Sequence, residues 1–179
     1  MKPITVLLAD DHKIVRKGIK QLLEMEADIK IVGEAVDGKQ AVTFARKLRP
    51  NVILMDMAMP GLNGLDATRQ ILQIHSLHPP KVIIVSAYCN DLYVIAALEA
   101  GAQGYLIKHH DMEHIATAIR AVQQGDHYLS SSIPKRLHQT KTIASKRQSA
   151  ARLDNISRTI SLQLPPPQAG NGHLVKLSR

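Results

Sequence analysis

Five polar residues stand where short apolar runs end: Asp10 and Asp11 after Ile4 to Ala9, Asp56 after Val52 to Met55, Ser86 after Val82 to Val85, and Lys108 after Gly104 to Ile107. If those ends converge, three carboxylates share one place, and their repulsion is relieved either by a raised pKa or by a bound cation. Magnesium fits such a donor set, because it is a hard ion that holds one or two carboxylates, keeps several waters and takes further oxygens from a phosphate. In that company Asp56 suits a carboxylate nucleophile that forms an aspartyl phosphate. Lys108 suits a compact charge beside one phosphoryl oxygen, and Ser86 a hydrogen-bond donor to another.

Convergence requires a particular architecture. The apolar runs, with a further one at Ile29 to Val32, are strand-length and apolar throughout, as strands covered on both faces must be. Helix-spaced patterns separate them: Val15, Ile19, Leu22 and Leu23; Ala41, Ala45 and Leu48; Leu65, Thr68, Ile71 and Leu72; Val94, Ala97 and Leu98; Ile115, Ala118, Ile119 and Val122. Breakers and turn formers fall between the patterns, among them Gly33, Asp37-Gly38, Pro60-Gly61, Pro79-Pro80 and Gly125. Strict alternation of five strands and five helices predicts an α/β fold, a doubly wound five-stranded parallel sheet with right-handed connections. In such a sheet ligands bind outside the carboxyl ends of the strands.

Each motif alone has a plainer reading. An acidic pair at a strand end often serves only to cap the next helix, and it is the company of Asp56, Ser86 and Lys108 that turns Asp10-Asp11 into a metal site. His109, His110 and His114 could suggest zinc, but no carboxylate or cysteine completes the set, and a solvated helix start accounts for them. Gly61 to Gly64 lacks the lysine-serine ending of a phosphate-cradling loop and reads as a turn. A hydrolase using Asp56 as nucleophile is disfavoured, because no second general acid is evident.

The motifs Leu-Ala-Asp-Asp-His at 8–12, Ile-Leu-Met-Asp-Met-Ala-Met-Pro-Gly-Leu-Asn-Gly-Leu at 53–65, Val-Ser-Ala at 85–87 and Gly-Ala-Gln-Gly-Tyr-Leu-Ile-Lys at 101–108 agree in order and spacing with one family. The sequence resembles the receiver domain of bacterial two-component response regulators, of the NarL/FixJ class with LuxR-type output, across about residues 3–137. The resemblance implies a flavodoxin-like receiver with strand order 2-1-3-4-5, in which Asp56 accepts a phosphoryl group from a sensor histidine kinase in a Mg2+-dependent reaction. It implies that Asp11 and Asp56 bind the metal directly with the backbone carbonyl of Ala58, while Asp10 holds it through water. Ser86 and Lys108 become a phosphate-sensing pair. Tyr105 becomes a switch that turns inward when Ser86 is drawn to the phosphoryl group, remodelling the face of the fourth helix, fifth strand and fifth helix, through which a homodimer would form. Such a protein is a phospho-acceptor rather than an enzyme, with slow self-dephosphorylation at most. His109 stands where many receivers carry proline.

Composition bounds the rest. The chain has 179 residues, 45% hydrophobic and 21% charged, which excludes collagenous and wholly disordered classes. A lone cysteine, Cys89, leaves no internal disulfide, no run approaches the ~20 apolar residues of a membrane span, and the first residues do not form a signal peptide, so a cytoplasmic protein is expected. Residues 1–132 balance 14 basic against 14 acidic side chains, whereas 133–179 carry 9 basic residues and only Asp154. The expected organisation is a receiver over 1–125, a linker over 126–140 and a basic segment over 141–179. That segment lacks the Leu-Thr-x-Arg-Glu opening of a LuxR-type output domain and suggests a truncated or frame-shifted remnant of one. Binding to DNA is expected only with an intact output domain, and the alternative is a stand-alone receiver or phosphorelay intermediate that signals by protein contact.

Overall fold

The computed structural model describes residues 2–74 and 78–134; the basic segment over 141–179 lies outside the described residues. Elements alternate along the chain: β1 (Ile4–Ala9), α1 (Lys13–Glu24), β2 (Ile29–Ala35), α2 (Gly38–Leu48), β3 (Val52–Asp56), α3 (Gly64–Ile74), β4 (Lys81–Ser86), α4 (Asp91–Glu99), β5 (Gly104–Ile107), α5 (Ile115–Gln124) and β6 (Tyr128–Leu129). All paired strands are parallel, in the order β2-β1-β3-β4-β5-β6.

The alternation of side chains along β3 explains the layering. Ile53 and Met55 enter a core with Ala41 and Ala45 of α2, Leu65 and Ile71 of α3, and Val94 and Ala97 of α4. Val52 and Leu54 enter a second core with Ile19 and Leu23 of α1 and Ile115, Ile119 and Val122 of α5. Every residue of β3 is buried, as a central strand covered by helices on both faces must be. Among the described residues no helix is long and apolar enough to cross a membrane.

The five-stranded expectation is corrected in two places. After Gly125 ends α5 in a left-handed conformation (φ 98°), the chain returns to the sheet as β6. Tyr128 donates its N–H to the Gln103 carbonyl, Ser130 donates to the Tyr105 carbonyl, and Ile133 is buried in the first core. The segment expected as linker from residue 126 therefore begins with a sixth strand, too short to display a periodicity. The strand expected over Ile29 to Val32 continues to Ala35 through a bulge that leaves Val32 without a partner on β1. Gly33, which reads as a breaker, is a packing position: a Cβ there would lie 2.6 Å from Leu48 Cδ1.

The start of α3 is pressed against the strand that carries Asp56. Gly64 donates its N–H to Met57 O, and a Cβ at Gly64 would lie 2.0 Å from the Asp56 carbonyl oxygen. No side chain fits there unless the backbone moves. Gly64→Ala is therefore expected to lower unfolding stability by at least about 1–3 kcal/mol, measured by urea denaturation; an unchanged midpoint would show that this contact is not tight.

Candidate functional site

Strand ends place the chemistry as expected. β1 delivers Asp10, β3 Asp56, β4 Ser86 and β5 Lys108, all beyond the carboxyl edge of the sheet. Asp10 and Asp56 are buried at 1% and 3% exposure, although both are acids. Between them lies the Lys108 ammonium, 2.7 Å from Asp10 Oδ2 and 3.1 Å from Asp56 Oδ1.

The remaining carboxylate oxygens differ in their commitments. Asp10 Oδ1 accepts the His12 N–H at 2.8 Å, so both oxygens of Asp10 are engaged. Asp56 Oδ2 is buried and accepts no hydrogen bond. Asp11 Oδ1 also accepts none, although His12 Nδ1 stands 2.7 Å from it. Among the described residues, Asp10, Asp11, His12 and Asp56 bring one ligand atom each within 4.8 Å of one another. Two buried, unpartnered oxygens within such a group fit a hard cation, since leaving them bare is costly.

Burial chiefly sets the ionisation of Asp56. It raises the pKa from 3.8 to about 6; Lys108 pulls it down and Asp10 pushes it up. Burial also works against the Lys108 ammonium, but Asp56 and Asp10 outweigh it and hold its pKa above the ordinary lysine value. At neutral pH Asp56 is thus ionised, with its charge compensated on one oxygen only.

Tyr105 lies fully buried beneath the β4–α4 loop, where its hydroxyl donates to the Tyr88 carbonyl at 2.6 Å. Ser86 Oγ accepts the Tyr88 N–H at 3.1 Å. The ring thus already occupies the inward position, and burial raises its pKa. Ala58, two residues beyond Asp56, is half-buried in the β3–α3 loop.

Three supporting residues escape a reading by motif. Asp111 is buried and its Oδ2 accepts the Ile107 N–H at 2.9 Å, fixing the turn that carries Lys108. Arg16 donates from α1 to the Asp10 carbonyl at 2.7 Å. His12 turns its imidazole to the carboxylates instead of capping α1. All three act through contacts between distant or irregular positions, and only the proximity of His12 to Asp11 in sequence could have drawn attention to one of them.

The comparisons with known proteins agree with this geometry. Residues 6–120 match the family model described as response regulator receiver domain. The chain is 44% identical over 130 residues to the transcriptional regulatory protein LiaR of Bacillus subtilis (strain 168), covering 73% of this chain and 61% of that protein. It is 41% identical over 134 residues to the response regulator UvrY of Escherichia coli (strain K12), covering 75% and 61%. The chain thus spans about three-fifths of the length of these curated relatives. Among solved structures, a LuxR-family two-component response regulator from Aurantimonas sp. SI85-9A1 superposes with TM-score 0.72 at 30% identity, covering 79% of this chain and 99% of that one. The receiver domain of the putative response regulator NarL from Mycobacterium tuberculosis gives 0.66 at 30% identity, covering 70% and 99%.

A carboxyl whose pKa is raised by folding favours the native state most when protonated, below the unfolded value of 3.8, and that advantage is lost as pH rises through about 6. Asp56→Asn, measured without divalent ions, is expected to be more stable than the parent at pH 8 by on the order of 2–3 kcal/mol, with the gain vanishing by about pH 4. A pH-independent difference between the two would contradict the burial of this charge.

Proposed function

The chain belongs to the response regulator receiver domain family, and from that premise we propose that it is the phosphorylated switch of a two-component system, with Asp56 as the acceptor. The observation that carries this reading is the unpartnered Asp56 Oδ2, ionised at neutral pH and buried beside a lysine that engages only Oδ1. In the transfer, the Asp56 carboxylate attacks, through whichever oxygen does not hold the cation, the phosphorus of a phosphohistidine on a sensor histidine kinase. A P–O bond forms, the P–N bond breaks, and the imidazole nitrogen keeps the electron pair.

A magnesium ion held by Asp11, Asp56 and the Ala58 carbonyl, with Asp10 behind a water, would neutralise the incoming phosphoryl oxygens. Lys108 binds a phosphoryl oxygen by charge, drawn from the two carboxylates it now bridges. Ser86 donates its hydroxyl to another, and its Oγ then weakens the contact with the Tyr88 N–H. Tyr105 holds the same residue through the Tyr88 carbonyl, so a local charge change reaches α4 and β5.

The relatives named as transcriptional regulatory proteins support a role at the input of transcription control, and we further propose a homodimer through the α4, β5 and α5 face and a place in the cytoplasm. DNA binding would belong to an output domain. A second reading, signalling by protein contact alone, is favoured by the basic 141–179 segment, where the Leu-Thr-x-Arg-Glu opening is not recognisable. Both readings share the same acceptor chemistry.

Incubation with a small phosphodonor such as acetyl phosphate and Mg2+ is expected to label the parent chain once, as read by intact mass. Asp56→Asn should take no label and Asp11→Ala should need more Mg2+. Stoichiometric labelling of Asp56→Asn would overturn the assignment.

A further inference from the structure

Resting on the metal reading above, we infer that His12 is a further ligand of the same site, offering its Nδ1 to a divalent ion that accepts imidazole, for which Mn2+ serves as the probe. The imidazole has a role to fill here. His12 occupies the N-cap position of α1, where a side chain ordinarily accepts a helix N–H, yet it makes no such bond. Its Nδ1 points instead into the acidic cleft, 2.7 Å from Asp11 Oδ1 and 3.4 Å from Asp10 Oδ1.

Those separations have the size of a coordination edge. Neighbouring ligands at about 2.0–2.1 Å from one octahedral ion lie about 3.0 Å apart, and the two distances bracket that value. The donor atoms of Asp10, Asp11, His12 and Asp56 all fall within 4.8 Å, slightly beyond the roughly 4.2 Å between opposite ligands of such an ion, so a short swing of the exposed imidazole brings Nδ1 onto an ion held by the carboxylates. Two of the carboxylate oxygens, on Asp11 and Asp56, have no hydrogen-bond donor to compete with the ion.

The placement of His12 at the mouth completes the picture. Its side chain is 64% exposed, whereas that of Asp10 is 2% exposed, so the imidazole can swing onto an ion that enters from solvent without disturbing the core. The neutral ring would coordinate through Nδ1 and carry its proton on Nε2, toward water. Mg2+ prefers oxygen and loses little without an imidazole. Mn2+ accepts both donor types, and affinity for a nitrogen donor rises further along the first-row series.

The decisive probe is Mn2+ bound to the parent chain, His12→Ala and Asp11→Ala, each at one ion or less per chain, read by pulsed electron paramagnetic resonance for nitrogen coupling and by titration for affinity. The parent is expected to show coupling from one imidazole nitrogen. His12→Ala should lose that coupling and bind Mn2+ about tenfold or more weakly, while its Mg2+ affinity stays within about twofold. Asp11→Ala should lose the bound ion, which separates this site from the other histidines. Mn2+ bound by the parent without nitrogen coupling, or coupling that persists in His12→Ala, would overturn the role of His12 and leave the carboxylate site standing. Failure of the parent to bind Mn2+ or Mg2+ would overturn both.

Discussion

Two carboxylates are buried at the carboxyl edge of this sheet, and the Lys108 ammonium between them makes that tolerable. Like charges within one water-poor pocket repel strongly, and an unpaired buried charge costs several kcal/mol. One lysine therefore has to serve both acids, and the fold is arranged to deliver it. Lys108 donates its backbone N–H to the Ser86 carbonyl, and buried Asp111 closes the turn that follows β5. The compensation is deliberately incomplete. Asp56 keeps one oxygen with no donor, and its pKa rests at about 6 because burial outweighs the lysine.

That incompleteness links stability to function. On the proposed function, an Asp56 with both oxygens engaged would be a poorer nucleophile, while one without Lys108 beside it would carry an uncompensated buried charge. Sites of this kind hold a local conflict that the surrounding structure over-determines. Here the surrounding structure is a tight one: α3 begins so close to the Asp56 carbonyl that only glycine fits at position 64, and Arg16 of α1, on the opposite face of the sheet, pins the Asp10 carbonyl. Remote helices thus hold the two acids at fixed positions while leaving one oxygen open.

The sequence made much of this arrangement legible. Parallel strands covered on both faces are apolar throughout, so their ends are sharp, and a polar residue after each run marks the functional edge directly. The placement of Asp10, Asp11, Asp56, Ser86 and Lys108 at one edge was readable for that reason, whereas the sheet order from β2 to β5 came from the resemblance to a family and not from periodicity. What escaped lacks periodicity. Tyr128–Leu129 is a strand of two residues, recognisable only through hydrogen bonds to Gln103 and Tyr105. Gly33 has the residue type of a breaker, yet it continues β2 because Leu48 packs where a side chain would be. His12 and Asp111 act through contacts set by loop geometry, to which pattern is blind. The inward state of Tyr105 was equally invisible, since residue type specifies a ring but not its rotamer.

The contacts around Asp56 and the β4–α4 loop involve few atoms: Lys108 to Asp56, Ser86 Oγ to the Tyr88 N–H, and Tyr88 O to the Tyr105 hydroxyl. If Lys108 and Ser86 turn to a phosphoryl group, the first two contacts must change together. Backbone amide NMR of the chain in Mg2+, before and after phosphorylation of Asp56, tests that coupling most directly. The expected result is a set of large shifts at Ser86, Tyr88, Tyr105, Lys108 and Asp111, extending into α4. A phosphorylated chain whose shifts stay confined to Asp56 and its sequence neighbours would contradict it.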